Sequence, residues 1–188
     1  IWGILNECAS DTEYGKSCYK AQFELIESLD KTRPRSFSSC RFKTDICFDL
    51  VDVVSYNIYP KWYHNTPVAE YLDDLYKWVQ TTPGEGKPFL ITEVGAGAIY
   101  GYRTPAKVKW SEEYQVQALE EQLNAILSYN DCSGVYIWQF CDVRVTNDWW
   151  STRPRTMNNK GIVDEYRRPK LAYETVKKIF SSVDTYRE

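Results

Sequence analysis

Histidine is nearly missing from this chain. His64 stands alone in 188 residues, and none of the six cysteines pairs with another, or with that histidine, at zinc-site spacing. A metal-ligand set is therefore lacking, no cofactor is implied, and His64 reads as a solvated loop residue. No run of about 18 apolar residues occurs, which excludes a membrane-spanning helix. Neither sign of charge dominates: 23 Lys and Arg against 26 Asp and Glu, interspersed, leave a net charge of −3. Nucleic acid and membrane surfaces are thus not expected partners. Flexible linkers and low-complexity segments are also missing, so nothing marks a second domain. The cysteines, without a pairing pattern, read as free thiols of a reducing, cytoplasmic compartment.

What is present points to a small-molecule partner. A hydrophobic content of 43% is enough for one domain with a real core. Seven Trp and fifteen Tyr supply flat amphipathic rings that suit sugar faces as well as cores. The pattern alternates strand and helix. After an apolar run from Ile1, Asp11 and Thr12 offer caps for a helix whose inward face is expected at Tyr14, Cys18, Ala21, Leu25 and Leu29. Strands are expected over 35–41 and 50–59, the latter stopped by Pro60. Val68, Tyr71, Leu72, Leu75 and Val79 share one helical face, and Thr82-Pro83-Gly84 breaks that helix before the next strand. Ser111 caps a further helix with a stripe at Val116, Leu119, Leu123, Ile126 and Leu127. A buried strand over 134–140 follows, then a polar loop over 142–168. Pro169 opens a last helix with Leu171, Ala172, Val176, Ile179 and Phe180 inward. Such alternation implies crossover connections and a parallel sheet, an α/β fold of about five βα units. A complete (β/α)8 barrel takes about 250 residues, so this chain is too short to close one.

Two carboxylates end two of the apolar runs. In Lys87-Pro88-Phe89-Leu90-Ile91-Thr92-Glu93-Val94-Gly95, the run Phe89 to Ile91 suits a strand buried on both faces, and Glu93 stands where that strand meets its loop. Ile1-Trp2-Gly3-Ile4-Leu5-Asn6-Glu7 has the same form. Side chains at that end of a parallel strand are held rigidly and face a cleft. A pair of such carboxylates, roughly 5 to 5.5 Å apart, is what retaining glycoside hydrolysis uses. The residues alone do not say which would be the acid and which the nucleophile.

The chain resembles, over nearly its whole length, the catalytic barrel of glycoside hydrolase family 2, and within it the bacterial β-glucuronidases. The marks are Asn6-Glu7, Asn57-Ile58-Tyr59-Pro60-Lys61-Trp62-Tyr63, Ile91-Thr92-Glu93-Val94-Gly95, Trp110-Ser111-Glu112-Glu113-Tyr114-Gln115, Trp138-Gln139-Phe140, Asn158-Asn159-Lys160-Gly161-Ile162 and Arg168-Pro169-Lys170. The resemblance implies the C-terminal portion of a TIM barrel, 1–188 being part of the catalytic domain of a larger multidomain glycosidase. It implies Glu7 as acid/base and Glu93 as nucleophile. Asn6 would bond the sugar 2-hydroxyl, and Asn57, Tyr59 and Tyr63 would line the sugar subsite. Trp138 would be a sugar platform, and Asn158 with Lys160 would bind the carboxylate that distinguishes a uronic acid from its parent hexose. Arg153 and Arg155 could add a second cation.

The expected activity is therefore hydrolysis of terminal β-D-glucuronides through a covalent glycosyl-enzyme. A sibling reading keeps the mechanism with a β-galactoside or β-mannoside, which would leave Lys160 without a charge partner. A reading from another class is a non-catalytic carbohydrate-binding barrel fragment. Ile1 lies inside the first apolar run, so the natural start is expected upstream. The piece alone is expected to be inactive and to self-associate through its two unpaired sheet edges.

Overall fold

The computed structural model describes residues 1–183. Five strands form one parallel sheet in the order β1-β2-β3-β4-β5, with β1 Trp2–Asn6, β2 Arg35–Ser39, β3 Val54–Asn57, β4 Phe89–Val94 and β5 Cys132–Ile137. Helix α1 (Glu13–Leu29) joins β1 to β2, α2 (Val68–Val79) joins β3 to β4, and α3 (Glu112–Leu127) joins β4 to β5. Between β2 and β3 the link carries only a 3-10 turn over Phe48–Leu50, so the expected alternation skips one helix there. No helix among the described residues is long and apolar enough to cross a membrane. All six cysteines are free thiols.

The chain divides into two compact units. The first comprises 1–58, 69–92 and 129–135. Its core is a chain of rings: Tyr19 on Phe37 at 4.6 Å, Phe48 against Tyr56 at 5.7 Å, and Tyr56 against Phe89 at 6.1 Å. Leu72, Leu75 and Val79 of α2 are fully buried as expected. Helix α1 differs from the expectation. Tyr14, Leu25 and Leu29 are 80%, 60% and 78% exposed, and Gly15, Tyr19 and Phe23 turn inward instead. Gly15 sets that phase, because a Cβ there would lie 1.7 Å from the Ala9 carbonyl oxygen. Once this one side-chain-free position faces the preceding loop, Tyr19 and Phe23, one and two turns on, must face the core. Thr12, the expected cap, accepts from the Gly15 N–H at 3.0 Å.

The second unit comprises 59–68, 93–128 and 136–188. It holds α3, α4 (Leu171–Ser181), and a short antiparallel pair of β6 (Val143–Arg144) with β7 (Met157–Asn158). That pair corrects the expected polar loop over 142–168, whose far end is buried at Met157, Asn159, Lys160, Val163 and Asp164. The α3 stripe needs correction as well. Leu119, Leu123 and Ile126 are buried, but beside them lie Glu112, Gln115 and Gln122 rather than Val116 and Leu127. In α4, Ala172 and Val176 are inward while Leu171 and Phe180 are partly exposed.

The two strands at the ends of the sheet order are not buried. Ile1 and Trp2 near β1, and Tyr136 of β5 with Phe140 beyond it, are largely exposed. An end strand has one neighbour instead of two, so the apolar runs that predicted burial there lack a covering element among the described residues.

Candidate active site

Each unit carries one of the two carboxylates, at the end of a strand. In the first unit Glu7 follows β1 directly. Its backbone takes φ 53°, a left-handed value uncommon for a residue with a side chain. The Ser38 carbonyl accepts its N–H at 2.9 Å, which fixes that turn. Asn57, at the end of β3 and 5% exposed, donates from Nδ2 both to Glu7 Oε1 at 2.9 Å and to Asn6 Oδ1 at 2.8 Å. Thr92 in turn donates its hydroxyl to Asn57 Oδ1 at 2.8 Å, which settles which end of the Asn57 amide faces the carboxylate. Three of the expected site residues are thus joined by one amide. Asn6 spends its oxygen on Asn57 and keeps its N–H pair for another acceptor.

In the second unit Glu93 is half-buried within β4, and Tyr59 donates its phenol to Glu93 Oε2 at 2.5 Å. Lys160 lies in the same cluster. It is 4% exposed, its Nζ donates to the Tyr63 hydroxyl at 2.8 Å, and it stands over the rings of Tyr59 and Tyr63 at 4.4 and 4.8 Å. Burial pushes the Lys160 ammonium below its ordinary pKa, while the Tyr63 oxygen and the negative charge of Glu93 act the other way. Tyr63 receives a second donor from Arg153 at 3.3 Å. Burial would raise that phenol, but the two cations outweigh it and hold its pKa below the ordinary value. Among the described residues no carboxylate forms an ion pair with Lys160. A buried, solvent-stripped cation that donates to a phenolic oxygen, lies over ring faces and forms no ion pair is a site for an anion.

Asn158 lies two residues before Lys160, at the end of β7. Its Oδ1 accepts the Lys160 backbone N–H at 3.2 Å, so it shapes the turn that carries Lys160. Trp138 sits beyond the end of β5, 39% exposed, donating its N–H to the Val94 carbonyl at 2.9 Å. Its carbonyl oxygen lies 2.3 Å from where a Gly95 Cβ would stand, so only glycine fits after Glu93-Val94. Trp62 is core, 3% exposed, edge-on to Trp110 at 4.8 Å.

Sequence reasoning gave no role to two buried amides of α3. Gln122 Nε2 donates to the Pro60 carbonyl at 2.7 Å and the Gly95 carbonyl at 3.3 Å. Gln115 Nε2 donates to Ala96 O at 2.9 Å and Gly161 O at 3.0 Å. These bonds tie down the backbone beside Tyr59, beyond Glu93 and beside Lys160. Their signal was available: two glutamines two helical turns apart on the buried face of an otherwise apolar stripe.

The family model "Glycosyl hydrolases family 2, TIM barrel domain" matches residues 1–185. The chain is 33% identical over 184 residues to the β-glucuronidase of Rattus norvegicus and 27% identical over 192 residues to that of Paenibacillus borealis. These matches take in 92% and 100% of the chain but only 27% and 32% of the relatives. Among solved structures, a family 2 β-galacturonidase from Eisenbergiella tayi bound to galacturonate is 73% identical with a TM-score of 0.98, over 100% of this chain and 34% of that one. A β-glucuronidase from Ruminococcus gnavus in complex with D-glucuronic acid is 27% identical with a TM-score of 0.82, over 94% of this chain and 32% of that one. The chain therefore spans about a third or less of the length of these proteins.

Proposed function

This chain belongs to glycosyl hydrolase family 2, and on that premise we propose that, within its full-length enzyme, it hydrolyses terminal β-D-uronides with retention. The observation that carries the reading is the buried Lys160 ammonium, aimed at Tyr63 and without a carboxylate partner among the described residues. A uronic acid brings that partner in its C6 carboxylate. Arg153, sharing the Tyr63 hydroxyl, adds positive charge at the same place.

In this reading Glu93 attacks the anomeric carbon and forms the glycosyl-enzyme. The Tyr59 phenol, donating to Oε2, holds the carboxylate in one orientation for that attack. Glu7 donates a proton to the departing oxygen and then takes one from the incoming water, whose oxygen bonds the anomeric carbon as the Glu93 carboxylate leaves, so Glu7 acts as acid and then as base in a single cycle. Asn6, anchored by Asn57 through its oxygen, offers its N–H pair to the sugar 2-hydroxyl. Trp138 supplies a ring face for the pyranose, and Asn158 supports the carboxylate contact through the turn it shapes.

Galacturonides and glucuronides share the carboxylate and differ in the C4 hydroxyl, so Lys160 serves both. The 73% identity to the Eisenbergiella tayi enzyme favours the galacturonide. The curated β-glucuronidases, at 27 to 33% identity, favour the glucuronide as a second reading. Turnover of chromogenic β-D-galacturonide, β-D-glucuronide and β-D-galactoside by the full-length enzyme separates these. Equal or better turnover of the neutral galactoside would remove the uronide reading. The proposal extends to a bacterial, cytoplasmic enzyme, which the free cysteines support. It extends also to the 188-residue piece by itself, expected to be inactive and to self-associate. Light scattering at micromolar concentration tests this, and a clean monomer would count against it.

A further inference from the structure

Lys170 takes no part in the chemistry above, yet its ammonium is buried at 2% exposure and all its donors are used. Nζ donates to Asp142 Oδ1 at 2.8 Å, to the Ala98 carbonyl at 2.6 Å and to the Asn159 carbonyl at 3.0 Å. An ammonium has three donors, so this is a complete set. The three acceptors lie on three segments, each a few residues from a candidate site residue: Ala98 past Glu93, Asp142 past Trp138, and Asn159 next to Lys160.

Stability is a weak reason to keep such an arrangement, since a buried ion pair can often be replaced by apolar side chains at little or no cost. Position is a stronger one. The Asn159 carbonyl accepts from Lys170 and also from the Ala98 N–H at 2.8 Å, so the loop after Glu93 and the turn bearing Lys160 meet at one oxygen. Asp142 Oδ1 binds the same turn from its other end, through the Gly161 N–H at 2.9 Å. The turn is therefore clamped on both sides of Lys160, and Lys170 with Asp142 is the clamp.

We propose that Lys170 is a positioning residue for uronate recognition: it locks the 158–161 turn against the loop that follows Glu93 and so sets where the Lys160 ammonium stands. The proposal rests on the uronide reading and deepens it. Recognition of the carboxylate, in this view, depends on a second, hidden cation that never touches substrate.

A double-mutant cycle in the full-length enzyme tests it, reading kcat and KM on whichever chromogenic β-D-uronide the wild type hydrolyses. Lys170→Met combined with Asp142→Asn removes both buried charges together and leaves no stranded carboxylate. The expected loss in uronide kcat/KM is about tenfold to a hundredfold, the scale of a misplacement near one ångström. KM should carry most of it. In a Lys160→Ala background the same pair of changes should cost less than about twofold, because nothing is left to position. Equal losses in both backgrounds would make Lys170 merely structural and overturn the proposal. Should the combined variant melt far below wild type, Asp142→Asn alone, which keeps the shape and an Oδ1 acceptor, goes through the same cycle with the same two outcomes. A wild type that hydrolyses a neutral pyranoside but neither uronide overturns the functional reading and this inference with it. Uronide turnover with additive losses overturns the inference alone.

Discussion

The two carboxylates live in opposite surroundings. Glu7 ends an exposed end strand, is itself exposed, and is held by one neutral amide. Among the described residues it has no ion pair. Glu93 is half-buried, takes a phenolic hydrogen bond, contributes to the field that steadies Lys160, and leads into a loop whose carbonyls are clasped by Gln115, Gln122 and Lys170. The contrast matches the proposed division of labour. A nucleophile has to stay ionised and in place, which favours a rigid polar cluster with a cation nearby. An acid/base has to give up and regain a proton within each cycle, which favours contact with water and a partner that does not compete for the proton.

The largest expected effect breaks the contrast at its core. Glu93→Gln in the full-length enzyme should lower kcat by at least about 10⁴-fold, since the attacking oxygen is lost while shape is kept. Glu7→Gln should depend on the leaving group, hurting poor leaving groups far more than activated aryl glycosides. Azide should restore its turnover and give a β-glycosyl azide. An α-azide product would show inversion and sink the assignment.

Lys160→Ala comes next. Removing one partner of a buried charge pair should cost about 2–5 kcal/mol in uronide kcat/KM, with a much smaller effect on a neutral pyranoside. The same factor on both substrates would mean that the cationic character of the second unit has nothing to do with the sugar.

A smaller effect probes the other unit. Gly15→Ala forces a methyl against the Ala9 carbonyl and should destabilise the first unit by roughly 1–3 kcal/mol. Urea unfolding measures it, and the ratio of uronide to neutral-sugar turnover should not change. A shift in that ratio would show that the two regions do not divide the work as described.

The finest test uses pH. Burial lifts the Asp142 carboxyl from 3.8 to about 6, against the pull of Lys170. The folded chain then holds that proton more tightly than the unfolded chain, so this group's contribution to stability is greatest at low pH and declines as pH rises from about 3.8 to about 6. Asp142→Asn should remove that decline. Denaturant unfolding across this window, in wild type and variant, would expose an unchanged slope if Asp142 is not its source.

The sequence by itself determined the strand-and-helix order, the caps at Thr12 and Ser111, the α2 face, and the two carboxylates at strand ends. Those features are local: periodicity, capping and strand termini are written within a few residues of one another. It misjudged the phase of α1, because an apolar stripe at Tyr14, Leu25 and Leu29 competes with the stripe at Tyr19 and Phe23. Only the approach of Gly15 to Ala9 chooses between them. It read 142–168 as a polar loop and gave no role to Asp142 or Lys170, because such charges ordinarily stay in water. Their burial, like that of Lys160, follows from pairing across long stretches of chain: Lys160 with Tyr63, Lys170 with Asp142 and with the backbone at Ala98 and Asn159. A buried charge is tolerated only where its partners converge. That convergence was decided by the tertiary structure, since no local pattern around a lysine records which distant carbonyls will meet it.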